Sequence, residues 1–593
     1  MSTPADPSSA PLDNRWPPQI KYILGNEAAE RFSYYGMKSI LAIYITSMLL
    51  KTEDQATGVI HLFGFANYFM PLLGAWVSDR FWGRYNTILW ISLSYCLGHG
   101  VMALSDAIPS ISGKVTCLWF GLGLIAFGSG GIKPCVSAFV GDQFKPEQRH
   151  LLQKAYAAFY WSINLGSTAS FFIIPFLRKE YGYSWAFGVP GLAMALATFI
   201  FWLGTKHYVR VPPTSQTRSA GFLKVFIHAL RNQKLRQPGQ RFWDVSRSHF
   251  KESEVDAASS VLPILGIFAL IPIFWSLFDQ TFSTWVLQGE QMRPYFTTSA
   301  LVAERDIRDV NGISASLATN ASVRFLQGKF TPATLQKVTN SALEVRLRRE
   351  AAAEALNGLI QSRTVMSTQE LEGVKFSADT RFLLGGIARG EDPERANRLV
   401  LEDSFPNGLS KCYRIGPEEM LSVNSILVMI FVPIMTLLVY PILGRFASPL
   451  RRMSYGMFLA ALSFVLVAVY QKKIEHGEGL SIFWQIGPYI ILTMAEVLVS
   501  TTGLEFAFRE AAPEMKSIIM GFWNLTIALG NLFVTVITAL ATKLVGKGAG
   551  GHGVSVTPTM FLFYAGLTFV VAIAFSIIAT LYTYRDSTAA QGK

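Results

Sequence analysis

Cysteine is scarce in this sequence, with four residues among 593. Cys96, Cys117 and Cys135 fall inside strongly apolar stretches, whereas Cys412 lies in a more polar segment. Four cysteines in this distribution indicate neither a disulfide framework nor a metal-binding cluster. We therefore expect no bound metal and no fold that depends on disulfides.

Motifs of the common enzyme classes are also missing. The sequence has no nucleophile elbow and no zinc-binding helix, and His61 has no obvious serine or cysteine partner. The segment Gly128-Ser-Gly130-Gly131-Ile-Lys133-Pro134 has the glycines of a phosphate-binding loop, but no serine or threonine follows the lysine and no strand precedes it. The sequence therefore predicts neither an enzyme nor a nucleotide-driven pump, and no cofactor.

Apolar residues, by contrast, are abundant. Hydrophobic residues make up 51% of the chain and aromatic residues 13%, and the mean hydropathy is +0.32. A soluble protein of this length is less apolar, and each membrane span needs about 20 mostly apolar residues. The sequence predicts an all-α polytopic membrane protein. Its twelve predicted spans are approximately 22–50, 56–78, 86–106, 115–140, 152–177, 185–205, 262–287, 420–443, 453–471, 481–505, 517–542 and 559–583.

Positive charge is concentrated on one side of these spans. The net charge is +12, and the short loops after even-numbered spans carry arginine and lysine, as in Arg80 to Arg84 and Arg451-Arg452. This is the positive-inside pattern of membrane proteins, so the charge does not indicate nucleic-acid binding. Both termini are predicted to be cytoplasmic. The first apolar run is too long for a signal peptide and should remain as the first span.

The spacing of the spans predicts two six-helix bundles, at 22–205 and at 261–287 with 420–583. A cytoplasmic linker at 206–260 joins them, with one amphipathic helix around Phe222 to Leu230 and another from Glu252. Residues 1–21 and 584–593 are predicted cytoplasmic tails. The stretch 288–419 is too long for an unstructured loop and has a helical pattern at 343–358, so we expect a helical extracytoplasmic insertion. It is either a spacer or a second binding site.

The two predicted bundles look like diverged repeats. Gly74-Ala-Trp-Val-Ser-Asp79-Arg80-Phe-Trp-Gly83-Arg84 follows span two, and Gly444-Arg445 with Arg451-Arg452 follows span eight. Six plus six spans with matching basic turns indicate a major-facilitator transporter, whose substrate cavity lies between the halves. If these turns only set the orientation of the spans, that would explain their arginines, but it would explain the spacing of glycine and aspartate less well.

Charged residues inside the first span are the strongest functional signal. Glu27, Arg31, Tyr34 and Lys38 are separated by four, three and four residues, which places them on one face of a helix, with Glu30 beside that face. Each charge costs roughly 2.5 to 3.5 kcal/mol at the centre of a membrane helix, so a group of them indicates a ligand or proton pathway. A structural Glu27–Arg31 ion pair is the alternative interpretation.

Further polar and aromatic residues fall inside other predicted spans. His61 could be a structural hydrogen bonder or a proton carrier, and Gly166 and Ser167 are interpreted as packing residues. The remaining candidates are Tyr35, Tyr68, Lys133, Asn164, Trp275, Asp279, Asn424, Glu496, Ser500 and Trp523.

Together these residues predict an electrically polarised pocket. Arg31 and Lys133 belong to the first half and Glu496 to the second, which suits a zwitterion with a separated carboxylate and ammonium. The ligand carboxylate would face the two cations and its ammonium would face Glu496. Asn164 and Asn424 would hydrogen-bond the ligand backbone between them.

Three motifs resemble those of the proton-dependent oligopeptide transporter family of the major facilitator superfamily. They are Glu27-Ala-Ala-Glu30-Arg31-Phe32-Ser-Tyr34-Tyr35-Gly36, the stretch from Gly131-Ile-Lys133-Pro134 through Gly141-Asp142-Gln143-Phe144, and Phe159-Tyr160-Trp161-Ser-Ile-Asn164-Leu-Gly166. The resemblance covers nearly all spans and leaves out the large insertion.

The resemblance implies roles for the candidate residues. Glu27, Glu30 and Arg31 match its proton-coupling cluster, and His61 matches a histidine found in part of the family. Lys38 and Asp279 resemble an extracellular gate pair. The implied peptide-binding residues are Arg31, Tyr35, Tyr68, Lys133, Asn164, Trp275, Asn424, Glu496 and Trp523. Tyr34 and Ser500 are predicted to join them because of their positions in spans one and ten.

Three features depart from the family pattern. Lys38 stands where arginine is usual, which removes a bidentate fork and should weaken the gate contact to that of an exposed ion pair. Asn424-Ser425 replaces Asn-Pro, which reduces the expected bend of span eight. The insertion follows span seven, whereas an extracytoplasmic domain of this family usually follows span nine.

The function that the resemblance implies is proton-coupled symport of di- and tripeptides into the cell by alternating access. The expected location is the plasma membrane, or the inner membrane of a bacterium, and the expected partners are peptides, protons and the lipid bilayer, without nucleotide or nucleic acid. Transport of nitrate or another organic solute is an alternative, although Glu496 would repel anions. A non-transporting peptide receptor is a third possibility.

Overall fold

The computed structural model describes residues 14–213, 221–237, 239–292, 295–297, 412–444, 448–476, 480–512, 515–546 and 553–582. The predicted helix at 343–358, most of the insertion and most of both tails lie outside these residues. Two compact units are present, Met1–Pro294 with Ile415–Lys593, and Tyr295–Arg414. The predicted insertion spans 288–419, whereas the chain stays helical to Glu290 and the first unit resumes at Ile415.

Helices make up nearly all of the described part of the first unit. Those of the first half are α1 (Ile20–Ile43), α2 (Glu53–Val77), α3 (Gly83–Leu104), α4 (Ile111–Asp142), α5 (Leu152–Tyr181) and α6 (Tyr183–Leu203). Those of the linker and the seventh span are α7 (Phe222–Arg231), α8 (Glu252–Ser259), α9 (Val261–Phe268), α10 (Ile271–Phe278) and α11 (Thr284–Glu290). The rest of the second half is formed by α12 (Leu421–Ile434), α13 (Tyr440–Leu443), α14 (Pro449–Glu475), α15 (Ile486–Glu496), α16 (Thr502–Glu510), α17 (Lys516–Val545) and α18 (Pro558–Leu581).

The described residues account for all twelve predicted spans. Nine helical stretches are long and apolar enough to cross a membrane, and one of them, Glu53–Ala107, contains both α2 and α3. The helical stretches Glu252–Phe268 and Ile271–Glu290 contain α8 and a further span, and the chain bends by 46° between them. The first span, α1, has 24 residues but is rich in charge, so length rather than hydropathy identifies it. The major-facilitator architecture follows, as the sequence predicted.

The second unit adds one feature that an all-α prediction missed. Strand β1 (Tyr295–Thr297) pairs antiparallel with β2 (Cys412–Arg414), and Phe296 is opposite Tyr413. These two short strands bracket the insertion in sequence. The helical character predicted for the insertion itself concerns residues outside the described ranges.

Glycines allow the helices of the first half to approach closely. A Cβ on Gly74 of α2 would lie 2.2 Å from the carbonyl oxygen of Gly131 in α4, and a Cβ on Gly166 of α5 would lie 2.2 Å from that of Ala28 in α1. Only glycine fits such backbone contacts. The interpretation of Gly166 as a packing residue is therefore confirmed, and Gly131 serves packing rather than phosphate binding.

Both predicted linker helices are present. The first, α7, buries Phe222, Val225 and Ala229, and the second, α8, leads directly into the seventh span. The ring of Phe222 meets Phe522 of α17 edge-on at 5.7 Å. The linker is thus docked against the second half at one end of its spans.

Candidate functional site

A cavity of about 120 Å³ lies between the two halves of the first unit. Side chains from α1, α2 and α5 form one wall, and those from α10, α12, α15 and the turn after α10 form the other. The lining residues are Tyr35, Lys38, Tyr68, Tyr160, Ile163, Asn164, Ser167, Phe171, Phe278, Asp279, Thr281, Phe282, Leu421, Asn424, Ser425, Val428 and Glu496.

The structure brings part of the predicted site to this cavity and leaves part behind its wall. The predicted residues that line it are Tyr35, Lys38, Tyr68, Asn164, Asp279, Asn424 and Glu496. The predicted residues that do not line it are Glu27, Glu30, Arg31, Tyr34, His61, Lys133, Trp275, Ser500 and Trp523. Neither Arg31 nor Lys133 lines the cavity, because Glu27 and Glu30 hold Arg31 and the ring of Tyr68 lies over Lys133. Their contact with a ligand carboxylate stays a prediction.

The acidic cluster of α1 is built around Arg31. Its Nε lies 2.7 Å from Oε1 of Glu27 and 2.9 Å from Oε2 of Glu30. Ser129 of α4 donates a hydrogen bond to Glu30 at 3.1 Å. The Glu27–Arg31 ion pair, which was the structural alternative, is therefore present. It is not isolated, because the same guanidinium also binds the carboxylate of Glu30. Protonation of either carboxylate would loosen the hold of Arg31.

Lys133 occupies an aromatic cage rather than an ion pair. Its Nζ lies 4.7 Å from the ring centroid of Tyr34 and 4.3 Å from that of Tyr68. The atom is buried, and no hydrogen-bond partner reaches it from the described residues. Cation–π contact compensates only part of the cost of burying an ammonium. Since Tyr68 also lines the cavity, Lys133 stands one ring away from it with its donors unused.

Glu496 faces the cavity from the second half. Asn424 donates to its Oε2 at 2.8 Å and to the hydroxyl of Thr493 at 3.0 Å. A π-helical turn, Val497–Thr501, follows Glu496 directly, and such wide turns often occur at functional sites. Ser500 lies within this turn and not on the cavity wall. Asn164, on the opposite wall, donates to the carbonyl of Tyr160 in its own helix.

Lys38 and Asp279 close one end of the cavity. Asp279 begins the short 3₁₀ turn after α10, and its Oδ1 lies 3.2 Å from Nζ of Lys38. The side chains are only 2% and 6% exposed, and the lysine also lies 4.0 Å from the ring centroid of Phe282. The expected exposure of this pair was wrong, because aromatic packing excludes water from it.

His61 of the first half forms a further contact with the second half next to this ion pair. Its Nδ1 is 2.8 Å from Oδ1 of Asn531, whose amide nitrogen donates to Oδ2 of Asp279 at 2.6 Å. Because the Asn531 oxygen can only accept, Nδ1 of His61 carries the proton, and Nε2 faces the Ser283 hydroxyl at 2.9 Å. A hydroxyl can donate to a neutral ring or accept from a charged one. Sequence reasoning did not predict Asn531 or Ser283 as part of the site.

Residues 44–52 connect α1 to α2, and we call the side on which they lie the first-loop side. Further contacts join the two halves on this side. Arg178 of α5 lies 2.6 Å from the buried Glu418, and Lys179 lies 2.7 Å from Glu419. At the start of α2, Asp54 accepts from the backbone N–H groups of Val554 at 3.0 Å and of Ser555 at 2.7 Å.

The opposite side has ion pairs of a different kind. Arg84 pairs with Asp142 within the first half, and Arg452 pairs with Glu505 within the second. Since the described ion pairs that cross between the halves lie toward the first-loop side, the structure is closed on that side.

Aromatic and hydroxyl residues complete the site. Trp275 and Trp523 contact each other edge-on at 6.1 Å behind the cavity wall. Tyr160, Ser167 and Ser425 were not predicted to line the cavity, although Tyr160, Asn164, Ser167 and Phe171 recur at helical spacing on one face of α5. That spacing was the available signal. The Ser167 and Ser425 hydroxyls are 3.1 Å apart, so Ser167 contacts the other half rather than packing only within its own.

Comparisons with known proteins agree with this architecture. The family model described as the POT family matches residues 85–304 and 407–553. Solute carrier family 15 member 2 of Rattus norvegicus is 29% identical over 98% of this chain and 92% of its own length. Peptide transporter 3 of Caenorhabditis elegans is 28% identical over 96% of this chain and 93% of its own.

A solved structure matches over almost the full length as well. The in meso crystal structure of the POT family transporter PepTSo superposes with a TM-score of 0.69 at 31% identity, covering 96% of this chain and 99% of that one. The similar proteins are transporters rather than enzymes, as the missing enzyme motifs predicted. With twelve spans, the motif residues of α1, α4 and α5 in place and a cavity between the halves, the chain belongs to the proton-dependent oligopeptide (POT) transporter family.

Proposed function

We propose that this protein carries di- and tripeptides across the membrane together with protons, by alternating access between its two halves. The observation that carries the proposal is the charge arrangement around the cavity. Lys133 has an ammonium without a hydrogen-bond partner among the described residues, and Glu496 faces the cavity from the other half. A short peptide has a carboxylate and an ammonium at its two ends and can satisfy both.

The binding roles follow from these positions. The peptide carboxylate would draw Lys133 out of its aromatic cage, and Arg31 would join it once released from a protonated glutamate. The peptide ammonium would replace Asn424 as the partner of Glu496. Asn164 and Asn424, freed from their present bonds, would then hold the peptide backbone.

The transport cycle would use the closure on the first-loop side. The Lys38–Asp279 pair and the His61 network favour the closed arrangement, and loading of substrate and proton shifts the population between two packings. Under the predicted topology the first-loop side is extracytoplasmic, so the described conformation faces inward. We propose a plasma-membrane location, or an inner-membrane one in a bacterium, with cytoplasmic termini and no cofactor beyond the proton gradient.

The direct test is uptake of a labelled dipeptide into proteoliposomes under an imposed inward proton gradient. Accumulation that collapses when the gradient is dissipated supports proton-coupled transport. Recovery of intact peptide inside the vesicles separates transport from cleavage. Binding without flux would support a receptor instead, and uptake of nitrate but not of peptide would support the organic-anion alternative.

End-modified peptides test the orientation. Lys133→Met, which keeps the side-chain volume, should impair free peptides more than C-terminally amidated ones, because only a free carboxylate needs the ammonium. Glu496→Gln should penalise free N-termini more than acetylated ones. Lys51→Gln, at an exposed position outside the cavity, is the matched control and should leave the uptake of the free, amidated and acetylated peptides unaffected. Equal losses for every peptide would refute the assigned roles.

A further inference from the structure

Helix α7 lies at one end of the membrane-spanning helices. The chain leaves α6 at Leu203 and enters the seventh span from α8, so the linker between them stays at one end of the spans. The ring contact between Phe222 and Phe522 holds α7 against α17. Helix α7 is therefore held against α17 at the end of the spans.

Only part of the apolar surface of α7 is used in this contact. Phe222, Val225 and Ala229 are buried. The side chains that we call the apolar stripe remain 54%, 43% and 56% exposed, and they are Leu223, Ile227 and Leu230. Spacings of four and three residues place them on one face of the helix, beside the buried face. The structure thus leaves a second apolar face of α7 uncovered.

Positively charged side chains border this stripe on one side and follow it in sequence. Between residues 221 and 241 the sequence has no aspartate or glutamate, and its exposed cations are Lys224, Arg231, Lys234, Arg236 and Arg241. Lys224 and Arg231 lie three and four residues from Ile227, so they border the stripe on the helix surface. Within the described ranges, no ion pair joins any of these five cations to an acid.

The acids of the linker are already used elsewhere. Arg247 lies 3.1 Å from Asp244, 3.2 Å from Glu252 and 2.6 Å from Asp256. Glu254 accepts from the backbone N–H of Lys251 at the start of α8. The linker therefore has one acid-rich cluster, in which three carboxylates share Arg247, and one basic region around α7.

We propose that the apolar stripe of α7 inserts into the interfacial region of an anionic bilayer leaflet, with Lys224 and Arg231 at the level of the lipid phosphates. An apolar face bordered by lysine and arginine is the pattern of helices that lie in the membrane plane. Long basic side chains can bury their stems in the apolar layer while their charged ends stay in water. A leaflet supplies both the apolar layer and the negative charge that this surface requires.

The size of the surface favours lipid over a protein partner. A stable protein interface uses about 20 to 30 residues on each side. The apolar stripe offers three side chains in a single row, which suits shallow insertion into a leaflet. Its position at the end of membrane spans brings that leaflet within reach without any second molecule.

The test measures where Ile227 lies in the full-length protein. The four native cysteines are replaced by serine, Ile227→Cys is introduced and labelled with an environment-sensitive nitrobenzoxadiazole dye, and the protein is reconstituted. One set of vesicles contains only phosphatidylcholine and another also contains phosphatidylglycerol. Lipids with a spin label near the headgroup serve as quenchers. Gln240→Cys, at an exposed linker position outside α7, is the matched control, and Leu223→Cys is a second reporter for the stripe.

The proposal predicts blue-shifted emission and lipid-dependent quenching at residue 227 in anionic vesicles, and neither at residue 240. The pair Lys224→Gln and Arg231→Gln should reduce the quenching in anionic vesicles toward the level in neutral ones, since each cation near a charged surface contributes roughly fivefold to binding. Water-like emission at 227 in both membranes would overturn the proposal. Blue-shifted emission without lipid quenching would also overturn it, because protein would then cover the stripe. Equal quenching in neutral and anionic vesicles would overturn it as well.

Discussion

Neutralising one member of the Lys38–Asp279 pair should open the first-loop side. The two side chains are 2% and 6% exposed, so the pair is buried, and it joins α1 to the turn after α10. Breaking a buried ion pair by removing one partner costs about 3 to 5 kcal/mol, whereas an exposed pair contributes at most about 1 kcal/mol. The burial therefore decides the expected magnitude.

The surrounding contacts refine this magnitude. After Lys38→Met, the Asp279 carboxylate still accepts from Asn531 at 2.6 Å, so we expect the lower end of the range, about 3 kcal/mol. This corresponds to a change of more than about 100-fold in the ratio of closed to open protein. After Asp279→Asn, Lys38 keeps its contact with the Phe282 ring at 4.0 Å, which compensates part of the loss.

The double variant separates pairing from independent effects. With Lys38→Met and Asp279→Asn together no buried charge is left uncompensated, so closure should be nearer to that of the native protein than in either single variant. We expect a coupling of about 2 kcal/mol in the cycle. A charge swap is less informative, because a lysine at position 279 would place its donors against the amide of Asn531.

Distances between spin labels on the two halves measure the opening. Lys51→Cys and Lys472→Cys place labels at exposed positions on the first-loop side, one in each half, in a background without the native cysteines. The fractions of short and long distances give the closed and open populations in lipid. Arg452→Gln is the control, because its 3.3 Å contact with Glu505 lies within the second half and should not affect the distribution.

Two results would refute the reasoning. A shift of less than about fivefold in either single variant would mean that water screens the pair as it screens exposed ones. A double variant as open as the worse single one would mean that the two residues act separately. In that case Lys38 would belong with Glu27 and Arg31 in proton handling.

Three further predictions concern coupling, closure and packing. Glu30→Gln should abolish gradient-driven uptake but retain counterflow exchange of peptide, because exchange needs no net proton movement; full accumulation would contradict the role of Glu30. Asp54→Asn should increase the long-distance fraction in the same spin-label assay, because an amide oxygen is a weaker acceptor than a carboxylate for the backbone N–H groups of Val554 and Ser555. An unchanged distribution would show that this contact does not hold the halves together. Gly166→Ala should lower the melting temperature, because the new Cβ would lie 2.2 Å from the Ala28 carbonyl oxygen. Such overpacking typically costs about 1–3 kcal/mol of stability. An unchanged melting temperature would show that α1 and α5 can move apart.

Sequence alone determined the features that depend on local chemistry. Apolar runs long enough to cross the bilayer fixed the number and order of the spans, and the linker helices followed from short-range periodicity. The contact between Glu27 and Arg31 was predictable because residues four apart share a helix face. The motif residues placed the chain in its family before any contact between helices was known.

The tertiary structure decided which distant residues meet. His61 and Asn531 are 470 positions apart, and no local pattern links them, so their hydrogen bond could not be predicted from sequence. The same holds for Lys133. The sequence predicted this lysine in the pocket, whereas helix packing places it behind the ring of Tyr68. Burial depends on every helix that surrounds a side chain, whereas periodicity describes one helix at a time. That is why the positions of the charges could be predicted, and their partners and exposure to water could not.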